Sequence, residues 1–254
     1  MVKSQKKRGE SMKFKAFFIQ LAILAGMLLT SMPEAHALPK NFRNVDSFYV
    51  GAMPSEADID EFHELGISTI VSLHRLPDEV KKKAEKAGIS VYTFPIRTRL
   101  MHIDEIMDVM RKAPANSVYL HCLHGADRTG AVTAYWLVSQ RHMEPFKALA
   151  TVISPSDFHV KGLYMLAKEY GITIAPIEQS QIGKYSGARN GGLEGLKIRG
   201  DEWYTRLARN YLLITVGTPA GKPQEKFWNK DYDRTKAVRE ARKSQPDLPQ
   251  PPQK

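Results

Sequence analysis

The ten residues His121-Cys122-Leu123-His124-Gly125-Ala126-Asp127-Arg128-Thr129-Gly130 gather a thiol, a guanidinium, a carboxylate and two imidazoles into one short stretch. Cys122 is the chain's single cysteine, so there is no internal disulfide framework and no multi-cysteine metal site. A lone thiol is either inert packing or a reagent, and its neighbours here favour the reagent. The stretch joins an apolar run, Ser117 to His121, to an amphipathic helix expected from Thr129 to Arg141. A tight strand-to-helix loop turns successive backbone N–H groups inward, and the first helical turn adds further donors with a positive dipole end. The backbone of Leu123, His124, Gly125 and Ala126 would then cradle a tetrahedral oxyanion. Gly125 permits a backbone conformation that other residues resist. Arg128 can fork two hydrogen bonds onto phosphate oxygens, which a lysine cannot match. Beneath that positive field the thiol of Cys122 is expected to ionise well below the free value of about 8.5 and to act as nucleophile, with the Thr129 hydroxyl donating to it.

The surrounding chain must position this loop, and it reads as alternating strands and helices. Ser47 to Ala52 is extended, and Ser55 caps a helix that runs to Leu65 and stops at Gly66. Ser68 to Leu73 is β-branched and apolar, a buried strand by composition and length. Pro77 starts a charged helix to Ala87, and Ile89 to Pro95 gives the next strand. Ile103, Ile106, Met107 and Met110 predict a helix over His102 to Lys112, ended by Pro114. A further helix is expected from Phe158 to Tyr170, before Gly171. This alternation predicts an α/β fold, a central mostly parallel sheet flanked by helices, with ligands beyond the carboxyl ends of the strands.

The His-Cys, the five residues after it and the Arg-Thr-Gly that follow resemble the signature of cysteine-dependent protein tyrosine and dual-specificity phosphatases, with Gly125 third after the cysteine. The frame around the loop is similar too: Phe42-Arg43-Asn44-Val45, Tyr49-Val50-Gly51-Ala52 and Leu65 to Leu73. The resemblance is to the compact bacterial dual-specificity-like branch and spans about Lys40 to Gly171. It implies a tyrosine-phosphatase-like fold, a cysteinyl-phosphate intermediate on Cys122, charge stabilisation by Arg128, and a ring hydrogen bond from His121 that orients the loop. No metal or cofactor is implied.

One departure from that pattern concerns the general acid. The family usually carries an aspartate on a mobile loop some 30 residues before the cysteine, but Gly88 to Leu100 holds no Asp or Glu and offers Arg97 and Arg99 instead. Asp127, just before Arg128, stands where myotubularin-like lipid phosphatases are thought to place their acid. Asp104, in the helix after the Arg-rich loop, is the alternative; its plain reading is a helix N-terminal carboxylate. Arg97 and Arg99 would widen the positive field at the mouth and suit a polyanionic substrate, or they are solvated loop arginines. His124 contacts substrate or faces water. Arg75 either joins the mouth or pairs with Asp78 or Glu79.

The ends of the chain carry a different message. Six basic residues precede an uncharged apolar run, Ala16 to Leu29, and then Pro33 and Ala35-His36-Ala37. That is the layout of a secretory signal peptide over 1–37, cleaved after Ala37, with Met12 as an alternative start. The run is short for a bilayer span, and an uncleaved anchor is the other reading. The mature chain is therefore expected in the periplasm or secreted. From 38 to 180 there are 16 Lys plus Arg against 17 Asp plus Glu, and from 181 onward 15 against 8. The domains expected are a phosphatase unit over 38–172, a glycine-rich linker and docked helix over 173–219, and a disordered basic tail over 220–254. Trp203, Leu207, Tyr211 and Ile214 supply the helix's apolar stripe. The basic extension offers contact with a membrane surface, or is a solvated tail; nucleic acid is not expected as a partner. The expected partner is a phosphorylated protein, an inositol phosphate or a phosphoinositide. Two other functions compete, an inactive anion-binding module and a rhodanese-type sulfurtransferase, and the Arg128-Thr129-Gly130 ending argues against the latter.

Overall fold

In the strand Val118-Tyr119-Leu120-His121 every side chain is buried, as a β-strand covered on both faces requires. Its alternate residues enter two different cores. Val118 and Leu120 pack with Val71, Leu73, Phe146, Leu149, Tyr211 and Leu212, whereas Tyr119 packs with Ile59, Phe62, Ile70 and Val80. The period of two along a strand thus divides the protein into a layer on each side of the sheet.

The computed structural model describes residues 38–187 and 203–217. Within them the order is β1 Arg43–Val45, β2 Phe48–Gly51, α1 Glu56–Glu64, β3 Thr69–Ser72, α2 Asp78–Lys86, β4 Ser90–Thr93, α3 Ile103–Lys112, β5 Val118–His121, α4 Asp127–Arg141, α5 Pro145–Val152, α6 Asp157–Glu169 and α7 Trp203–Thr215. The sheet order is β1-β2-β5-β3-β4. Only the β1–β2 hairpin is antiparallel; the pairs β2–β5, β5–β3 and β3–β4 are parallel. This is a mixed α/β fold with a mostly parallel central sheet. The expected leader over 1–37, the glycine-rich stretch 188–202 and the tail beyond 217 lie outside the described residues.

Local chemistry explains the boundaries. The Asp58 carboxylate accepts from the Ser55 amide at 2.6 Å and the Ser55 hydroxyl at 2.7 Å, fixing the start of α1. Asp46, in the β1–β2 turn, accepts from Trp136 Nε1 at 2.9 Å and Arg141 Nε at 3.0 Å, which pins the hairpin to α4. Burial alone would raise the Asp46 carboxyl, but the bonds from Arg141 and Trp136 bring it below the ordinary value.

Three elements differ from the sequence reading. β1 was not expected, and its three residues are too few to show a period. α5 was not expected either: Phe146 and Ala148 to Val152 are all buried, which leaves no polar face to mark the helix. The helix after the cysteine loop begins at Asp127, not Thr129, and is not amphipathic over its first part, because every residue from Thr129 to Leu137 is buried. It is the central helix, packed against α5 and α7. Leu207, Ala208, Tyr211 and Leu212 of α7 lie in the same core as α4 and β5. The Trp203 side chain lies outside the described residues.

Candidate active site

β5 ends between two parallel neighbours. His121 is paired with Gly51 of β2 on one side and with Ser72 of β3 on the other. Cys122 therefore leaves the sheet at the carboxyl ends of adjacent parallel strands, the place where open α/β sheets bind ligands. Its side chain is 3% exposed.

The carbonyls of the loop are all engaged from behind. Cys122 O lies 3.1 Å from His121 Nδ1. Leu123 O accepts from the Met53 amide at 3.2 Å, His124 O from Asn41 Nδ2 at 2.7 Å, and Gly125 O from Arg43 Nη2 at 3.0 Å. Ala126 O accepts from the Gly130 amide at 2.6 Å as the first bond of α4. Among the described residues the N–H groups of Leu123, His124, Gly125 and Ala126 donate no hydrogen bond. Consecutive carbonyls are thus tied to the scaffold while consecutive donors remain for an anion, at the N-terminus of a 15-residue helix.

Gly125 is required twice over. Its φ is +69°, and a Cβ there would stand 2.2 Å from the Gly51 carbonyl carbon and 2.6 Å from the Ala52 nitrogen. The close approach is shared by β2: a Cβ on Gly51 would lie 2.3 Å from the Tyr119 hydroxyl. That hydroxyl donates to Ala52 O at 2.6 Å. Tyr119 in turn stacks on the His121 ring, 5.7 Å between centroids. His121 is fully buried, and desolvation pushes its imidazole down to about 4, so it is neutral at physiological pH.

The expected site residues fall into two groups. Cys122, Leu123, His124, Gly125, Ala126, Asp127, Arg128 and Thr129 form one continuous loop and first helical turn, with Leu123 and His124 exposed and Asp127 and Arg128 half-buried. One expectation is corrected. The Thr129 hydroxyl is fully buried and forms no hydrogen bond among the described residues, so the expected donation to Cys122 is not made. Thr129 lies inside the first turn of α4, where it is fully buried. The second group lies on the β4–α3 connection. Arg97 is exposed and Arg99 half-buried, and Asp104 stands in the acidic first turn of α3. Leu100 N in that connection donates to Asn210 Oδ1 of α7 at 2.8 Å, so α7 holds the segment that bears the arginines. Arg75 makes a loose exposed pair with Asp78 at 4.0 Å.

Three contributors were absent from the sequence reading as site residues: Asn41, Arg43 and Gly51. Asn41 and Arg43 hold the loop's carbonyls from residues 83 and 82 positions away in sequence. The signal that could have found them is the Phe42-Arg43-Asn44-Val45 frame, where an arginine stands between residues that otherwise suit a strand.

Comparison with known proteins adds the following. Residues 47–142 match a family model described as Tc-R-P, polymorphic toxin system, DSP-PTPase phosphatase. None of the curated proteins matches the chain. Among solved structures it is similar to TpbA of P. aeruginosa, at 24% identity over 47% of this chain and 78% of that one, TM-score 0.37. It is also similar to the core catalytic domain of the PP-IP phosphatase SIW14 from S. cerevisiae in complex with citrate, at 19% identity over 45% and 77%, TM-score 0.40. A third similar structure is Tk-PTP in its active form, at 26% identity over 43% and 80%, TM-score 0.38.

Proposed function

Residues 47–142 are a cysteine-dependent phosphatase domain of the dual-specificity type, and on that premise we propose that the protein is an exported phosphomonoesterase working through a cysteinyl-phosphate on Cys122. The observation that supports this most is the loop's polarity: carbonyls of Cys122 to Ala126 engaged behind, donors of Leu123 to Ala126 left to an oxyanion. The Cys122 thiolate attacks phosphorus in line, forming the S–P bond as the P–O bond to the leaving group breaks. Arg128 and the loop amides hold the charge on the equatorial oxygens. Asp127 gives its proton to the leaving oxygen, then takes one from the water that attacks the cysteinyl-phosphate, breaking the S–P bond and releasing inorganic phosphate. Arg97 and Arg99 on the β4–α3 connection suit a substrate carrying more than one negative charge, a phosphotyrosine protein or an inositol-phosphate headgroup. The leader layout of 1–37 supports export, and the basic C-terminal region supports contact with an anionic surface.

The test is a rate panel on phosphotyrosine peptide, phosphothreonine peptide, inositol hexakisphosphate and phosphoinositides. Cys122→Ser should abolish turnover while keeping vanadate affinity, because the cradle and Arg128 survive. Arg128→Lys should also be severely impaired, since an ammonium cannot reproduce the planar fork. A Cys122→Ser enzyme within tenfold of wild type would overturn the mechanism.

A further inference from the structure

Arg43 is an unusual arginine. Each of its three side-chain nitrogens donates to a main-chain carbonyl: Nε to Tyr185 O at 2.9 Å, Nη1 to Asn41 O at 2.7 Å and Nη2 to Gly125 O at 3.0 Å. Among the described residues no carboxylate pairs with it. A cation drawn out of water with carbonyl partners alone is costly, and burial brings its guanidinium down to about 10, with Cys122 among the groups that oppose that shift. Its Nη2 reaches the loop that carries Cys122, so the thiolate of the proposed mechanism is the negative charge set against it. The Tyr185 carbonyl is in turn held in place: the Gly183 and Tyr185 amides donate to Ala150 O and Thr151 O, at 2.9 and 2.7 Å, at the end of α5. Gly187 follows against the Asn41 side chain and the Ala126 Cβ, with room for no larger residue without displacement.

We infer that Arg43 is a positioning residue of the catalytic loop, which holds the Gly125 carbonyl out of the cradle, provides the rear counter-charge for the Cys122 thiolate, and ties the segment around Tyr185 into the active-site frame. The inference rests on the reading of Cys122 as the nucleophile. It separates two roles in space: Arg128 takes the substrate's phosphate from within the loop, while Arg43 acts through the loop from behind. The other ionisable groups on the elements around the thiol include His124 in the loop, Asp127 and Arg128 at the start of α4, His121 and Tyr119 on β5, and His74 after β3. His121 and Tyr119 are uncharged at neutral pH, so neither sets a charge against the thiol.

The single cysteine makes the test direct, because alkylation of the full chain by iodoacetamide reports Cys122 alone. Arg43→Gln removes charge and fork together, and should raise the pH midpoint of alkylation by about one unit or more, the scale of a close opposite charge. Arg43→Lys keeps the charge and loses the fork, so it should leave the midpoint near wild type yet lower kcat on an activated aryl phosphate by at least about tenfold, with KM changed less. Melting temperature and circular dichroism are followed in both. Both variants within twofold of wild type in kcat and unmoved in midpoint would overturn the proposal. Failure of both to fold would also overturn it, by assigning Arg43 to structure alone. A wild-type protein that alkylates only at ordinary thiol pH and hydrolyses no phosphate ester would instead overturn the phosphatase reading itself.

Discussion

Displacement by a thiolate leaves the departing oxygen in need of a proton, and the need depends on the leaving group. An aryl oxygen with an electron-withdrawing ring departs as a stable anion, whereas an alkyl or inositol oxygen does not. Asp127, half-buried in the first turn of α4 beside Arg128, carries the proton in our account. Asp127→Asn should therefore slow alkyl and inositol phosphates by about 10² to 10⁴, the range for a lost general acid, and activated aryl phosphates far less. Comparison of kcat/KM on the two substrate classes decides it. Equal losses on both would make Asp127 a support for Arg128 and move the acid to Asp104, whose Asp104→Asn variant should then show the leaving-group dependence. At this scale the sequence was legible in the grouping of the loop residues, because they are contiguous. It was least legible for Arg43, whose partners Gly125 and Tyr185 lie 82 and 142 positions away.

The loop and the elements that hold it behave as one unit, because Gly125 presses on β2 with no room for a Cβ. Gly125→Ala combines a left-handed backbone that costs an ordinary residue about 1–2 kcal/mol with a clash against main-chain atoms that cannot rotate away. The loop should lift from Gly51, and kcat should fall by more than about tenfold with a melting temperature only modestly lower, as steady-state kinetics and calorimetry would show. A Gly125→Ala enzyme with wild-type kcat would mean that the close approach does not set the loop's geometry. The same local rules explain which elements were readable. β3 and β5 announced themselves as short β-branched or apolar runs, and α3 by its spaced apolar residues. α5 stayed hidden because all but its Pro145 and Lys147 are buried, so it has no stripe. Its start was nonetheless written in Glu144-Pro145, where the Glu144 carboxylate accepts from the amides of Phe146 and Lys147 at 3.0 and 2.9 Å. α4 reads as amphipathic for the opposite reason: small and polar residues such as Thr129, Gly130 and Thr133 look like a solvent face, but all three are buried, and a Cβ on Gly130 would stand in ordinary contact with Val152 Cβ of α5 at 3.5 Å.

Across the whole molecule, segments far from the cysteine in sequence converge on its loop, on Arg43 behind it and on the β4–α3 connection. The first strand contributes Arg43, the stretch before it Asn41, the segment after α6 the Tyr185 carbonyl, and α7 holds the β4–α3 connection through Asn210. The parallel sheet and its two covering layers were foreseeable from strand-helix alternation, since that pattern admits few architectures. The convergence was not, because it depends on pairings between main-chain groups and remote side chains that leave no periodic trace. In the proposed mechanism all of it serves one chemical event, transfer of a phosphoryl group to Cys122. The most direct measurement is acid quenching of the wild-type protein during turnover of an activated aryl phosphate, followed by mass spectrometry of its peptides. Phosphate should be found on the peptide holding Cys122 and be absent from Cys122→Ser treated in the same way. Turnover with phosphate on His124, or with no phosphorylated peptide even when hydrolysis of the adduct is made rate-limiting, would contradict the account.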